Sequence, residues 1–220
     1  MSVLEPRVMV LYCPGLSAPA RFDQVLTAVT AFCPAVEAVE PGICAFGARG
    51  PARYFGGETA LAGRITAAVA DLGVQAQVGV ADGLFAARLA AGTARGSLGP
   101  PPQAASPAGP SPRASTTRSA LVIPPGRTAE FLAGQPVSVL AGQDPAGQDL
   151  VGLLNRLGLR TLGDLAALPV GDVASRFGAA GETAHRLAHG LGSRPLAVRP
   201  PAESWSSRPG GRRSSWPGSR

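Results

Sequence analysis

Residues 92–118 read GTARGSLGPPPQAASPAGPSPRASTTR, a stretch of glycine, proline, serine and alanine with almost no apolar bulk. Such a segment cannot offset its ordering entropy by burying surface, so a disordered linker is expected, with 96–118 as its extent. It divides the chain into two parts that must each find a core, and 220 residues are enough for one ordinary core or two small ones.

Before the linker, residues 1–95 alternate strand-like and helix-like patterns. Arg7 to Cys13 is a short β-branched, apolar run. Phe22, Val25, Leu26, Val29 and Phe32 fall at helical spacing, and Pro34 stops that helix. Val36 to Phe46 reads as a strand interrupted at Pro41 and Gly42. Leu61, Ile65, Ala68, Val69 and Leu72 share one face of a second helix that ends at Gly73, while Gly56-Gly57 before Glu58 is a helix-start turn. Val74 to Ala81 alternates as a strand, and Asp82 is an expected N-cap for a helix through Leu89. The order is that of an α+β layer with a split βαβ, ferredoxin-like sheet.

After the linker, residues 119–200 open with a strand, Ala120 to Ile123, turn at Pro124-Pro125-Gly126, and continue as short leucine-rich helices. Residues 201–220 are basic, lack periodicity and hold both tryptophans, so a disordered tail is expected, consistent with an out-of-frame end.

The net charge is +6 and all 20 basic residues are arginines, which fits a nucleic-acid partner, although part of that charge sits in the tail. Cys13, Cys33 and Cys44 form no CxxC pair and read as reduced, buried thiols of a cytoplasmic protein. Neither a membrane span nor a signal peptide is supported.

The most informative segment runs from Leu153 to Leu191. Within it, LGLRTLGDL (Leu157 to Leu165) has the form of a helix-hairpin-helix turn. One helix ends at Gly158, Leu159 enters the core, Thr161 caps the next helix, and Leu162, Leu165 and Leu168 bury its inner face. A turn of this kind offers N–H groups to a phosphate oxygen. Gly158, Arg160, Thr161 and Gly163 are therefore candidates for sequence-independent contact with a DNA backbone. A plain helical corner is the alternative. His185 and His189 stand four apart on a helix, but without a third ligand they read as a solvated helix end.

Four segments together resemble the Y-family (lesion-bypass, UmuC/DinB-like) DNA polymerases. They are FCPAVEAVEPGICAFGA (Phe32 to Ala48), VGVADGLFAARLAA (Val78 to Ala91), VIPPGRTAEFLAGQPVSVL (Val122 to Leu140) and the thumb-like stretch from Leu154. The resemblance implies a partial palm in residues 1–95, and a palm–thumb connection with a small all-α helix-hairpin-helix thumb in 119–200. It also implies a truncated chain, without the first palm strand and its aspartate, the fingers or the little finger, whose shortened sheet would have an exposed edge.

In active members of that family an Asp-Glu pair helps hold two magnesium ions. Those positions fall here on Gly42 and Ile43, and the Asn-Lys of a later motif on Gly83 and Leu84, with its following lysine on Arg88. Glu37, Glu40 and Asp82 remain nearby without fitting the metal-binding pattern.

These departures, with PGICAFGARGPARYFGGE (Pro41 to Glu58), resemble the ImuB branch. They imply a chain that is not an enzyme, has no catalytic residue, metal or cofactor of its own, and serves as a DNA-binding adaptor in error-prone translesion synthesis. The implied partners are DNA, a sliding clamp, an ImuA-type protein and a replicative-type error-prone polymerase. A non-functional remnant and an active translesion polymerase are the alternatives. The first thumb hairpin, replaced by AGQDPAGQDLVG (Ala141 to Gly152), departs from the family pattern too.

Overall fold

A computed structural model describes residues 5–94, 119–142, 145–192 and 196; the expected linker at 96–118 and tail at 201–220 lie outside the described residues. The elements follow in the order β1 (Arg7–Tyr12), α1 (Pro19–Thr30), β2 (Val36–Glu40), β3 (Ile43–Gly47), α2 (Arg49–Phe55), α3 (Glu58–Ala70), β4 (Gln77–Asp82) and α4 (Leu84–Thr93). Then come β5 (Ala120–Val122), α5 (Thr128–Ala133), a 3-10 turn (Val137–Gly142), α6 (Pro145–Arg156), α7 (Leu162–Ala166) and α8 (Val170–Ala188). The class is α+β, as the sequence pattern implies.

The five strands form one mixed sheet in the order β2-β3-β1-β4-β5, antiparallel except where β5 joins β4 in parallel. Arg7–Tyr12 lies in the middle of the sheet, paired with β3 on one side and β4 on the other. Its near-continuous apolar run follows from that place, because both faces of a central strand are covered. Val8 and Val10 point into one core, Met9 and Leu11 into the other. The segment expected to be one interrupted strand, Val36 to Phe46, is a hairpin, since Pro41 and a left-handed Gly42 turn the chain back on itself.

Helices α1 and α3 cover one face, where Phe22, Val25, Val29, Leu61, Ile65 and Val69 bury at the predicted helical spacing. Helix α4 covers the other face and comes very close to β4. A Cβ on Gly79 would stand 2.1 Å from the Ala87 oxygen and 2.2 Å from the Ala91 nitrogen, so only glycine lets the helix backbone rest there.

The C-terminal helices pack against this same side. Leu132, Leu140, Leu154, Leu162, Leu165, Val173 and Leu187 continue the core begun by Val8, Val10 and α4. Glycine also sets the approach of α6 to the 3-10 turn, where a Cβ on Gly147 would meet the Leu140 oxygen at 2.4 Å.

Asp82 does not cap α4. Gly83 occupies the N-cap position, with φ 86° and ψ 152°, because the chain must leave β4 sharply to lay α4 back on the sheet. The Asp82 carboxylate instead accepts from the Gly126 N–H (2.8 Å) and the Thr128 hydroxyl (3.1 Å), binding the β5–α5 turn to the end of β4.

Candidate functional site

At one end of the sheet the hairpin turn between β2 and β3 meets the exit of β1. Tyr12 pairs with Ile43, and the Cys13 N–H donates to the Gly42 carbonyl at 2.8 Å. Gly42 has φ +82°, and a Cβ there would stand 2.9 Å from the Cys13 oxygen and 3.0 Å from the Leu16 oxygen. Position 42 is therefore glycine for backbone reasons in this hairpin. Ile43 is buried in the core shared with α4.

Beside this turn opens a cavity of about 630 Å³, walled by Tyr12, Glu40, Ile43, Arg88, Thr93 and Gln135 among others. It lies between the hairpin, α4 and the loop after α5. Glu40 takes both ends of the Arg88 guanidinium, at 2.6 and 2.8 Å, in a fork that is partly open to solvent. Glu40 is the carboxylate in the cavity wall, and Gly42 and Ile43 supply none. Among the described residues no group of three His, Cys, Asp or Glu side chains could hold a metal ion. The residues at this end do not fit a two-ion site. Glu37 is buried in β2.

The other end of the sheet carries the residue that sequence reasoning missed. Arg7 opens β1 with a side chain only 3% exposed. It reaches Glu58 of α3 through two bonds (2.8 and 2.7 Å), Asp82 of β4 at 3.2 Å, and the Ile123 carbonyl oxygen after β5. Burial alone lowers its basicity, but the hydrogen bonds and charges of Glu58 and then Asp82 outweigh that and raise it. A basic residue opening an apolar strand was the available signal; its partners at 58 and 82 are too far along the chain to be read.

The helix-hairpin-helix corner forms as expected. Gly158 takes φ 83°, half-buried Leu159 packs toward the core, and Leu162 and Leu165 are buried beneath α7. The Thr161 hydroxyl accepts from the Asp164 N–H at 3.1 Å, while the Asp164 carboxylate accepts from the N–H groups of Thr161 (2.9 Å) and Arg160 (3.0 Å). This is a reciprocal capping box. The backbone donations from Thr161 and Arg160 hold the Asp164 carboxyl below its usual range.

Two of the N–H groups expected to face a phosphate are thus already engaged, and the exposed Arg160 side chain is the cationic group left at the turn. Gly163 sits where a Cβ would come within 2.9 Å of the Ala133 oxygen, so it brings α7 against α5. The structure places Gly158, Arg160, Thr161 and Gly163 in one turn, far along the chain from Gly42 and Ile43. The corner nonetheless adjoins the cavity, because Thr161 bridges to Pro136 and the Leu162 N–H donates to the Gln135 carbonyl at 2.8 Å.

His185 departs from expectation. It is buried, and its Nε2 donates to the Leu168 carbonyl at 3.0 Å, because α8 turns that face onto α7; the His189 ring packs edge-on against it at 4.6 Å. The three cysteines are free and buried, as expected. Burial pushes the Cys13 thiol up to about 11, and burial with the neighbouring Cys13 pushes Cys44 up to about 12. Among the described residues no helix is long and apolar enough to cross a membrane.

No protein-family model matches the chain. It is 48% identical over 64 residues to a DNA polymerase IV of Caulobacter vibrioides, a match covering 29% of this chain and 15% of that protein. It is 30% identical over 143 residues to a DNA polymerase IV of Dehalococcoides mccartyi, covering 65% of this chain and 30% of that one. Among solved structures, DinB from Sulfolobus solfataricus superposes with a TM-score of 0.60 at 18% identity, over 80% of this chain and 46% of its own.

In sequence the chain is similar to DNA polymerase IV proteins, and in fold to DinB. An insertion ternary complex of Dbh DNA polymerase has the same fold, with a TM-score of 0.59 at 17% identity, over 80% of this chain and 45% of its own. The chain spans 30% or less of the length of the two curated relatives. One expectation is overturned by these comparisons, namely that the chain is not an enzyme. The relatives are DNA polymerases, which are enzymes, and two neutral side chains at 42 and 43 do not establish that catalysis has been lost.

Proposed function

We propose that the chain works in DNA repair, in synthesis across damaged template, as a palm-and-thumb unit whose thumb holds the DNA backbone without reading sequence. In this reading residues 1–95 are the palm-like part and 119–200 the connection and thumb. The observation that carries it is the helix-hairpin-helix corner, a rigid capped turn with an exposed arginine, in a chain whose relatives are DNA polymerases. Arg160 supplies the charge that meets a phosphate oxygen, Gly158 and Thr161 set the turn that presents it, and Gly163 seats the turn on α5.

The resemblance of Pro41 to Glu58 to the ImuB branch supports a place in a cytoplasmic mutagenesis complex. There the chain would act as a DNA-binding adaptor beside a sliding clamp, an ImuA-type protein and a replicative-type error-prone polymerase. Pull-down of each candidate by the tagged chain tests these partners.

The DNA contact is tested by fluorescence anisotropy with a labelled primer–template duplex. Arg160→Ala is expected to weaken binding several-fold for any sequence and to lower the slope of log affinity against log salt by about 1. Duplex binding unchanged by Arg160→Ala would overturn the thumb reading. Primer extension with magnesium, run on the same sample, reads whether the chain carries the activity of its relatives.

A further inference from the structure

On the face of the sheet opposite the C-terminal helices, α2 and α3 present a surface that the thumb reading leaves unused. Ala52 of α2 and Leu61 and Ile65 of α3 bury into the core behind Met9 and Leu11, whereas α5 to α8 pack on the side of Val8 and Val10. On the outside of α2, Tyr54 is 84% exposed, the most open of the exposed large apolar side chains among the described residues. Its ring is nevertheless held in place. Phe55 packs against it edge-on at 4.8 Å, Phe32 supports Phe55 at 5.4 Å, and the Arg64 guanidinium lies over the Phe55 ring at 5.6 Å.

Exposed arginines lie on the same two helices. Arg49 and Arg53 stand one helical turn apart on α2, Arg64 belongs to α3 with its guanidinium over Phe55, and all three are exposed. Among the described residues none of them has a carboxylate partner. An open aromatic ring fixed beside unpaired guanidinium groups is the combination that binds a strand of unpaired bases. The ring stacks on any base face, and the cations follow the backbone. Duplex DNA hides its base faces, and an acidic peptide would leave the tyrosine ring idle.

We propose that this surface binds single-stranded nucleic acid, with an unpaired base stacked on Tyr54 and the neighbouring phosphates held by Arg49, Arg53 and Arg64. The site is independent of the duplex contact at Arg160, being on the opposite side of the sheet.

Anisotropy of the full chain with a fluorescein-labelled twelve-residue oligothymidylate tests this, compared with an abasic strand of the same length and with the primer–template duplex. Tyr54→Ala is expected to weaken oligothymidylate binding about tenfold, with Tyr54→Phe restoring it to within about twofold. The abasic strand and the duplex should not respond to either change. Arg53→Ala should lower the salt slope for the single strand by about 0.7. The proposal is overturned if Tyr54→Ala leaves oligothymidylate binding unchanged, or if the abasic strand binds the wild-type chain as tightly. The second result would mark a purely cationic surface suited to an acidic protein. A defect in the thumb reading would appear with the duplex and Arg160→Ala instead, so the two failures are separable.

Discussion

The two ends of the sheet use the same chemistry for opposite purposes. At the start of β1, Arg7 is enclosed by Glu58, Asp82 and the Ile123 carbonyl, and joins four parts of the chain. At the finish of β1, Arg88 meets Glu40 in a fork of similar length that faces an open cavity and joins only α4 to β2. Burial decides the difference. A guanidinium withdrawn from water needs every partner it has, whereas one at the surface can exchange its carboxylate for solvent or ligand at little cost. An ion pair alone therefore does not mark a functional end; the space beside it does.

The largest effect expected is at the enclosed end. Arg7→Met should reduce stability by about 3 kcal/mol in urea denaturation, because it leaves two carboxylates without their cation. A loss under about 1 kcal/mol would mean that Glu58 and Asp82 rehydrate freely and that the two ends do not differ. Next is the turn at the open end. Gly42→Ala places a Cβ against the Cys13 and Leu16 oxygens in a left-handed residue, and should cost about 2 kcal/mol by the same measurement. Little change there would show a hairpin free to rearrange.

The wall of the cavity is anchored at Thr161 through its bridge to Pro136. Thr161→Ala removes the cap and should cost about 1 kcal/mol. The partner in that cap gives a pH dependence. The folded state holds the Asp164 carboxyl below its ordinary value, so its stabilisation is present above the usual aspartate range and is lost as pH falls through the folded value. Asp164→Asn should melt below the wild type at pH 7, and the gap should close in acid. The smallest effect belongs to the exposed fork, where Glu40→Gln should change the melt by less than about 0.5 kcal/mol. A large loss there would break the comparison from the other side.

What the sequence made legible follows the range of the interactions. The helical spacing of Phe22, Val25 and Val29, the strands at Arg7 and Val78, and the turn built by Gly158, Leu159 and Thr161 all depend on neighbours within a few residues. Those form where they were read, except that the strand read from Val74 to Ala81 runs from Gln77 to Asp82. The central place of β1 was not legible, because its partners begin at residues 43 and 77 and nothing local selects them. The same distance hid the Arg7 cluster, turned Asp82 from a supposed helix cap into a tie for the β5–α5 turn, and concealed the carbonyl waiting for His185. At the open end, Gly42 and Ile43 were legible as residue types, whereas the backbone contact that fixes a glycine at 42 was not.

The re-entry of the chain at β5 sets how freely the protein can vary in length. Val78 donates its N–H to the Ser119 carbonyl, and the Ile123 N–H donates to that of Val80, so the polypeptide rejoins the sheet at a fixed register after α4. Whatever number of residues lies between those anchor points, the helices downstream start from the same place in space. The helices that wall the cavity are thereby placed by the pairing of β5 with β4.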